Sequence, residues 1–175
     1  MGEGRKEVRS MDSVRKAKIL LAEVTPLKQD CGRVCGARCC ESLEGEETGM
    51  LLFPEEEDDY ENLEGWRIIP AGREMLVICP GRCSREDRPL ACRMFPLLPI
   101  VTETGITVRT DERARGICPL TRQGKKGMDP AFVAAVQRAG ELLATEEATK
   151  AFLERLTEEQ EDLHRLRKQL GGIRG

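Results

Sequence analysis

The chain is short of aromatic residues. Its 175 residues include one Trp, one Tyr and four Phe, and the apolar fraction is 39%, below the usual share of about 45–50%. A core built from this composition is thin, and small or thin cores lean on a staple such as a structural metal. There is a single histidine, His164. It lies far along the chain from every cysteine and is expected on a solvated helix face. That argues against a Cys/His nucleophilic pair and against a mixed Cys/His metal site. No Gly-rich phosphate loop or serine-hydrolase elbow occurs. The longest apolar runs, Met75–Cys79 and Leu97–Val101, fall far below the roughly 20 residues that span a bilayer. The N-terminal segment Met1–Ser10 is basic, with no apolar run behind it, so no signal peptide is expected. The net charge of −3 gives no reason to expect a nucleic-acid or membrane partner. These absences point to a cytoplasmic chain whose thiols stay reduced.

Lysine is missing where the cysteines are. Residues 29–124 hold twelve arginines and no lysine, whereas the flanks hold eight of each. Arg33, Arg38, Arg82, Arg85, Arg88 and Arg93 lie among the cysteines. Arginine keeps its charge beside a buried anionic centre and offers several directed donors, where lysine tends to deprotonate.

What the chain does have is cysteine. All eight fall between residues 31 and 118: Cys31, Cys35, Cys39, Cys40, Cys79, Cys83, Cys92 and Cys118. Scattered cysteines are ordinary small buried residues, but four within ten residues are not explained that way. Clustered thiolates are what a soft metal needs. The spacing of four between Cys31, Cys35 and Cys39 places them on one face if the segment is helical; in a loop it lies within the range of zinc pairs. Cys79 and Cys83 repeat it. Two four-thiolate sites or one multinuclear site both fit the count. In an extended segment Cys39 and Cys40 would point to opposite faces, so the pair is awkward for one ion. Cys79 and Cys118 are each followed by proline, a feature shared with one type of ferredoxin cluster run.

The remaining pattern predicts an α+β chain: a small irregular cysteine-rich metal-binding core with short β-hairpins, flanked by helices. Val14, Ala17, Leu21 and Val24 recur at helical spacing, which predicts a helix over 4–24 ended by Pro26. Gly49–Phe53 is a strand candidate, and the acidic run Glu55–Glu61 reads as a solvated loop or a first helical turn. One hairpin is expected from Trp66–Ile69 and Met75–Cys79 around Pro70-Ala71-Gly72. A second is expected from Leu98–Thr102 and Ile106–Thr110 around Glu103-Thr104-Gly105. The stretch 80–96 reads as a loop. Asp129-Pro130 starts a helix over 130–144. Thr145 is a candidate cap for a second helix, whose apolar stripe is Phe152, Leu156, Leu163, Leu166 and Leu170. Thr157 and Gln160 form a candidate capping box that would divide it. The parts are therefore an N-terminal helix (1–28), a cysteine-cluster domain (29–122) and C-terminal helices (129–172).

The cluster ending in Cys39-Cys40, the pair Cys79 and Cys83, and the segment Arg88-Pro89-Leu90-Ala91-Cys92-Arg93-Met94-Phe95-Pro96 together resemble the YkgJ family of cysteine-cluster proteins. The likeness covers roughly residues 29–122. The family is described as zinc- or iron-chelating. It usually opens with Cys-x-x-Cys, whereas both gaps between Cys31 and Cys39 are three residues. The resemblance implies zinc or iron, an iron–sulfur cluster included, held by the eight cysteines. Residues 31–40 would supply half of a composite site that the loop 79–96 completes, with Cys118 outlying. Arg88 and Arg93 would donate to the thiolates from behind. A related branch, the flagellin lysine methylases, carries a similar cluster in a larger enzyme, so a redox or methyl-transfer iron–sulfur enzyme is one alternative. The missing nucleotide motif counts against it. Another is an interaction module in which metal only holds the fold and the C-terminal apolar stripe contacts a protein partner.

Overall fold

The computed structural model describes residues 12–41, 49–81 and 83–171. The chain is α+β, with two small antiparallel sheets between an N-terminal helix and a C-terminal helical pair.

Helix α1 spans Ser13–Leu20, and Asp12 caps it by accepting from the Arg15 amide at 2.7 Å. The expected helix was longer at both ends. Residues 4–11 lie outside the described residues, and the helix ends well before Pro26. Arg85 explains that end: its guanidinium donates to the carbonyls of Leu21, Ala22 and Val24, so these carbonyls find partners without further helix.

Strands β1 (Met50–Leu51), β2 (Arg67–Ala71) and β3 (Glu74–Ile78) form a sheet of order β1-β3-β2. The first hairpin turns at Gly72-Arg73, because Ala71 pairs with Glu74. Pro70, expected in the turn, instead pairs with Met75 inside β2. An edge strand tolerates its missing N–H, and Gly72 supplies the positive φ of 66° that the turn requires. The second hairpin forms as β4 (Leu97–Thr102) and β5 (Gly105–Thr110), but its turn is shorter than expected: Gly105, placed in the turn by the sequence, starts β5 opposite Thr102.

Helix α2 is the short Gly32–Cys35 turn, and α3 is Leu90–Met94, inside the stretch expected to be loop. Helix α4 (Pro130–Leu143) starts as expected, with Asp129 accepting from the Ala131 amide at 2.8 Å. Helix α5 runs unbroken over Glu147–Gly171. Thr145 does not cap it, since its hydroxyl donates back to the Leu142 carbonyl at 2.7 Å. Thr157 and Gln160 do not divide it either. Thr157 accepts from the Val101 amide at 3.0 Å, and Gln160 bridges the Glu112 amide and Asp111. Tertiary partners have taken the groups a capping box would use.

The main core joins α1, α3, β4, β5, α4 and α5 through residues such as Val14, Leu90, Ile100, Phe132, Val136 and Phe152. The helical flanks thus share one core with the second hairpin. A smaller cluster of Leu52, Tyr60 and Val77 backs the three-stranded sheet. No helix among the described residues is long and apolar enough to cross a membrane.

The acidic run contains a correction. Glu57–Asp59 is a single 3₁₀ turn, but Glu56 before it is only 1% exposed. Its carboxylate accepts from the amides of Phe53 at 2.8 Å and Leu90 at 3.0 Å, and pairs with Lys18 Nζ at 2.8 Å. It thereby anchors the first residue of α3, the helix that carries Cys92. The apolar stripe of α5 is buried at Phe152 and Leu156, but Leu166 and Leu170 are exposed.

Candidate metal centre

The first cysteines sit on tight local structure. Asp30 accepts from the Gly32 amide at 3.1 Å and opens α2. Cys31 precedes that helix and Cys35 ends it, with the Cys35 thiol pointing back to the Cys31 carbonyl at 3.5 Å. The helix stops there because Gly36 and Ala37 are both left-handed, with φ of 69° and 58°. Cys31, Cys35 and Cys39 therefore do not share one helical face. Arg38–Cys40 is a separate 3₁₀ turn. Its geometry also removes the expected opposition of Cys39 and Cys40, whose sulfurs lie 4.0 Å apart.

Cys79 follows β3 directly, and Cys83 lies just beyond the turn at Pro80-Gly81. That turn approaches the first cluster closely, as a Cβ added at Gly81 would lie 3.7 Å from the Cys40 carbonyl. Arg82 lies outside the described residues. Cys92 is held by α3. Cys118 is pinned between two 3₁₀ turns: its amide donates to the Ala114 carbonyl at 2.8 Å, and its carbonyl accepts from the Thr121 hydroxyl at 2.8 Å.

All eight cysteines line one cavity of about 130 Å³, together with Asp30, Arg88 and Trp66. Cys118 is thus as much a member as the rest. The thiols influence one another in a definite order. Burial raises the Cys31 pKa, and neighbouring Cys35, Asp30 and Cys118 raise it further. Burial also raises Cys118, with Cys35 adding to it. At the other end burial raises Cys83 and Cys92; Cys79 is a neighbour of both, and Cys40 adds to each. Cys39 stands between these groups, near Cys40, Cys31 and Cys92. The hydrogen bond from the Cys39 thiol brings Cys40 down to about 6 and pushes Cys39 up. The two behave as a pair that releases one proton readily and the second with difficulty.

Arg85, Arg88 and Arg93 all line this cavity, and Arg88 is the one that acts on its thiols. It hydrogen-bonds Cys83 and acts on Cys40, Cys31 and Asp30. Arg93 was expected to do the same and does not. Its guanidinium donates to the carbonyls of Arg88 at 3.0 Å, Lys18 at 3.1 Å and Glu86 at 2.8 Å. It ties α3 to α1 and directs no donor at a thiol. His164 pairs with Glu112 at 3.0 Å and has no place in the cavity lining.

The donor chemistry fits a soft ion, being sulfur with the Arg88 guanidinium directed at it. The spacing is open: among the described residues no three Cys, His, Asp or Glu groups converge closely enough to hold one ion. Sequence reasoning missed Asp30, Glu56 and Trp66. An Asp two residues before Gly32 is an Asx-turn signal that could have identified the first. No local signal marks the other two.

No family model, curated protein or solved structure matches the chain significantly.

Proposed function

We propose that this cavity binds zinc or iron through cysteine thiolates, in the manner implied by the likeness to the YkgJ family. What carries the reading is that four separate stretches of chain bring all eight cysteines to one cavity. Cysteines acting only as small core residues would have no reason to gather there. Cys40, Cys79, Cys83 and Cys92, gathered with Arg88 at one end, are the first set of donors; Cys31, Cys35 and Cys118 line the other. The short turns at 31–40 and 79–83 would have to draw in to bring sulfurs to bonding distance. A zinc ion there would lock those turns together; an iron–sulfur cluster would add one-electron chemistry.

Anaerobic purification with elemental and sulfide analysis, plus a visible spectrum, tests this. Zinc in whole-number stoichiometry, or iron with sulfide and broad absorbance near 400 nm, is the expected result. Folded protein that carries no metal and takes up neither Zn²⁺ nor Fe²⁺ on titration overturns it.

A further inference from the structure

A second concavity lies apart from the cysteines. It is a groove of about 700 Å³, walled by β5, by the C-terminal half of α5 and by the 3₁₀ turns Glu112–Gly116 and Gly124–Gly127. It shares no lining residue with the cysteine cavity. The chain as a whole carries a net charge of −3, yet four cations line this groove, Arg109, Arg115, Lys125 and Lys168, against two acids, Glu112 and Glu161. Arg109 is spent on Glu161. The side chains of Lys125 and Lys168 form no ion pair or hydrogen bond among the described residues. Glu112 makes Arg115 more than a surface charge. The Glu112 side chain is only 9% exposed and accepts from Arg115 Nε at 2.7 Å. It also accepts from Arg167 Nε at 2.7 Å and lies 3.0 Å from His164 Nδ1. One carboxylate thus meets two guanidinium groups and cannot neutralise both. Arg115 is held by Nε alone, and its terminal nitrogens make no bond among the described residues. A guanidinium fixed at one edge and open at the other is a preorganised donor to an oxyanion.

We propose that this groove binds a small polyphosphate, a chemistry that free tripolyphosphate and the triphosphate of a nucleotide share. The site is independent of the metal-binding reading above. Its free donors, Arg115, Lys125 and Lys168, stand on three separate elements, so a ligand with several linked anionic groups meets more of them than a single ion does. Phosphate oxygens accept readily from both an arginine fork and a lysine ammonium. A long nucleic-acid strand fits worse. Glu158, Glu159 and Asp162 are exposed on the same helix, α5, and would repel a phosphate backbone that continued past the groove. Glu112 is a positioning residue in this site: it sets Arg115 at the groove wall without touching the ligand.

The test is calorimetric titration of the full chain at low salt with tripolyphosphate, ATP and orthophosphate. Tripolyphosphate and ATP should bind one per chain, and orthophosphate far more weakly. Equal affinity for the first two assigns the groove to the phosphate chain alone; tighter binding of ATP assigns part of it to the nucleoside. Arg115→Gln and Lys168→Gln should each weaken tripolyphosphate binding at least about tenfold. Lys16→Gln, the same charge change at an exposed residue of α1, should leave it unchanged. Glu112→Gln makes the groove more positive, so attraction by charge alone would tighten binding, whereas loss of positioning weakens it. Arg115→Lys, which keeps the charge without the fork, should weaken it too. A dissociation constant above roughly 1 mM for tripolyphosphate overturns the proposal, as does a loss in Lys16→Gln equal to that in the groove variants. So does tighter binding by Glu112→Gln together with wild-type binding by Arg115→Lys. A single-stranded oligonucleotide that outcompetes tripolyphosphate would make the groove part of a nucleic-acid track and overturn the small-ligand assignment.

Discussion

The carboxylate of Glu56 accepts the backbone N–H of Leu90 at 3.0 Å. This single bond joins the acidic run to the start of the helix that carries Cys92. Glu56 also takes the Phe53 amide, and Phe53 and Leu90 are both fully buried. Glu56→Ala would leave two buried N–H groups without partners. We expect it to cost about 2–6 kcal/mol, at roughly 1–3 kcal/mol per orphaned donor, measured by urea unfolding. Lys18 keeps Asp59 at 2.8 Å, so its charge is not abandoned. Glu56→Gln, which retains one acceptor, should lose less. A loss below 1 kcal/mol from Glu56→Ala would mean that water reaches those amides.

Arg88 and Arg93 occupy the same nine-residue motif but should fail differently. Arg93→Met removes three bonds to carbonyls, and should lower stability by about 1.5–3 kcal/mol while sparing metal uptake. Arg88→Met should weaken metal uptake, because Arg88 is the cation acting on Cys83 and Cys40, with a smaller effect on unfolding. Calorimetric metal titration beside urea unfolding of both variants separates the roles. The same loss pattern in both would contradict the division.

Regular elements were legible where local chemistry decided them. Asp129-Pro130 fixed the start of α4 because the cap and the proline act within one turn. The second hairpin followed from a Gly-containing turn between apolar strands, although Gly105 pairs with Thr102 and the turn is one residue shorter than expected. Reading failed where a distant group supplied the deciding bond. Arg85 ends α1 from more than sixty positions away, and Gln160 is consumed by Asp111 rather than by a helix cap. The first hairpin's turn lay two residues later than its Pro70 suggested, since proline at an edge strand carries no penalty. Of the candidate site, the identity of the cysteines was readable, and the family likeness implied that 79–96 folds back on 31–40; the full membership of Cys118 and the means of convergence were not readable. That convergence depends on two left-handed residues, one an alanine with no sequence signature, and on a buried glutamate hidden in a run of acids.

Trp66 is the sole tryptophan and lines the cysteine cavity, with its ring centroid 5.0 Å from that of Tyr60. It should therefore report on the turns that draw together on loading. Adding Zn²⁺ to metal-free protein should change its fluorescence with the stoichiometry of uptake, and a chelator should reverse the change. The main core takes in α1 and α3 but is drawn mostly from α4, α5 and the second hairpin, so far-ultraviolet circular dichroism should retain the signal of the long helices throughout. Collapse of that signal on chelation would show that metal and main core fold as one unit.

Gly140 lies where α4 crosses the second hairpin. A Cβ there would sit 2.5 Å from Pro99 Cβ and 2.8 Å from Ile106 Cγ2. Alanine normally gains about 1 kcal/mol over glycine within a helix. Here the overpacking cost of about 1–3 kcal/mol should cancel or exceed that gain, because a proline ring cannot rotate away. Gly140→Ala should therefore fail to stabilise, leaving the melting temperature unchanged or lower. A clear rise would mean that α4 stands further from β4.

Glu112 gives the chain a pH dependence whose sign can be worked out. Partial burial would raise its pKa, but hydrogen bonds from Arg167, Arg115 and His164 outweigh that and hold it at about 2, against an ordinary value of 4.5. A carboxyl depressed in the folded state contributes its full stability above the unfolded value and loses it as pH falls through the folded one. The contribution should therefore be complete above about pH 4.5 and drain away between there and about 2. Glu112→Gln keeps the shape but not the charge. Wild type should exceed it in stability at pH 7, and the gap should close across that acid window. Urea unfolding of both proteins at pH 7, 4 and 2.5 measures the gap. A difference that stays constant down to pH 2.5 would show that Arg115, Arg167 and His164 hold Glu112 by shape rather than by charge.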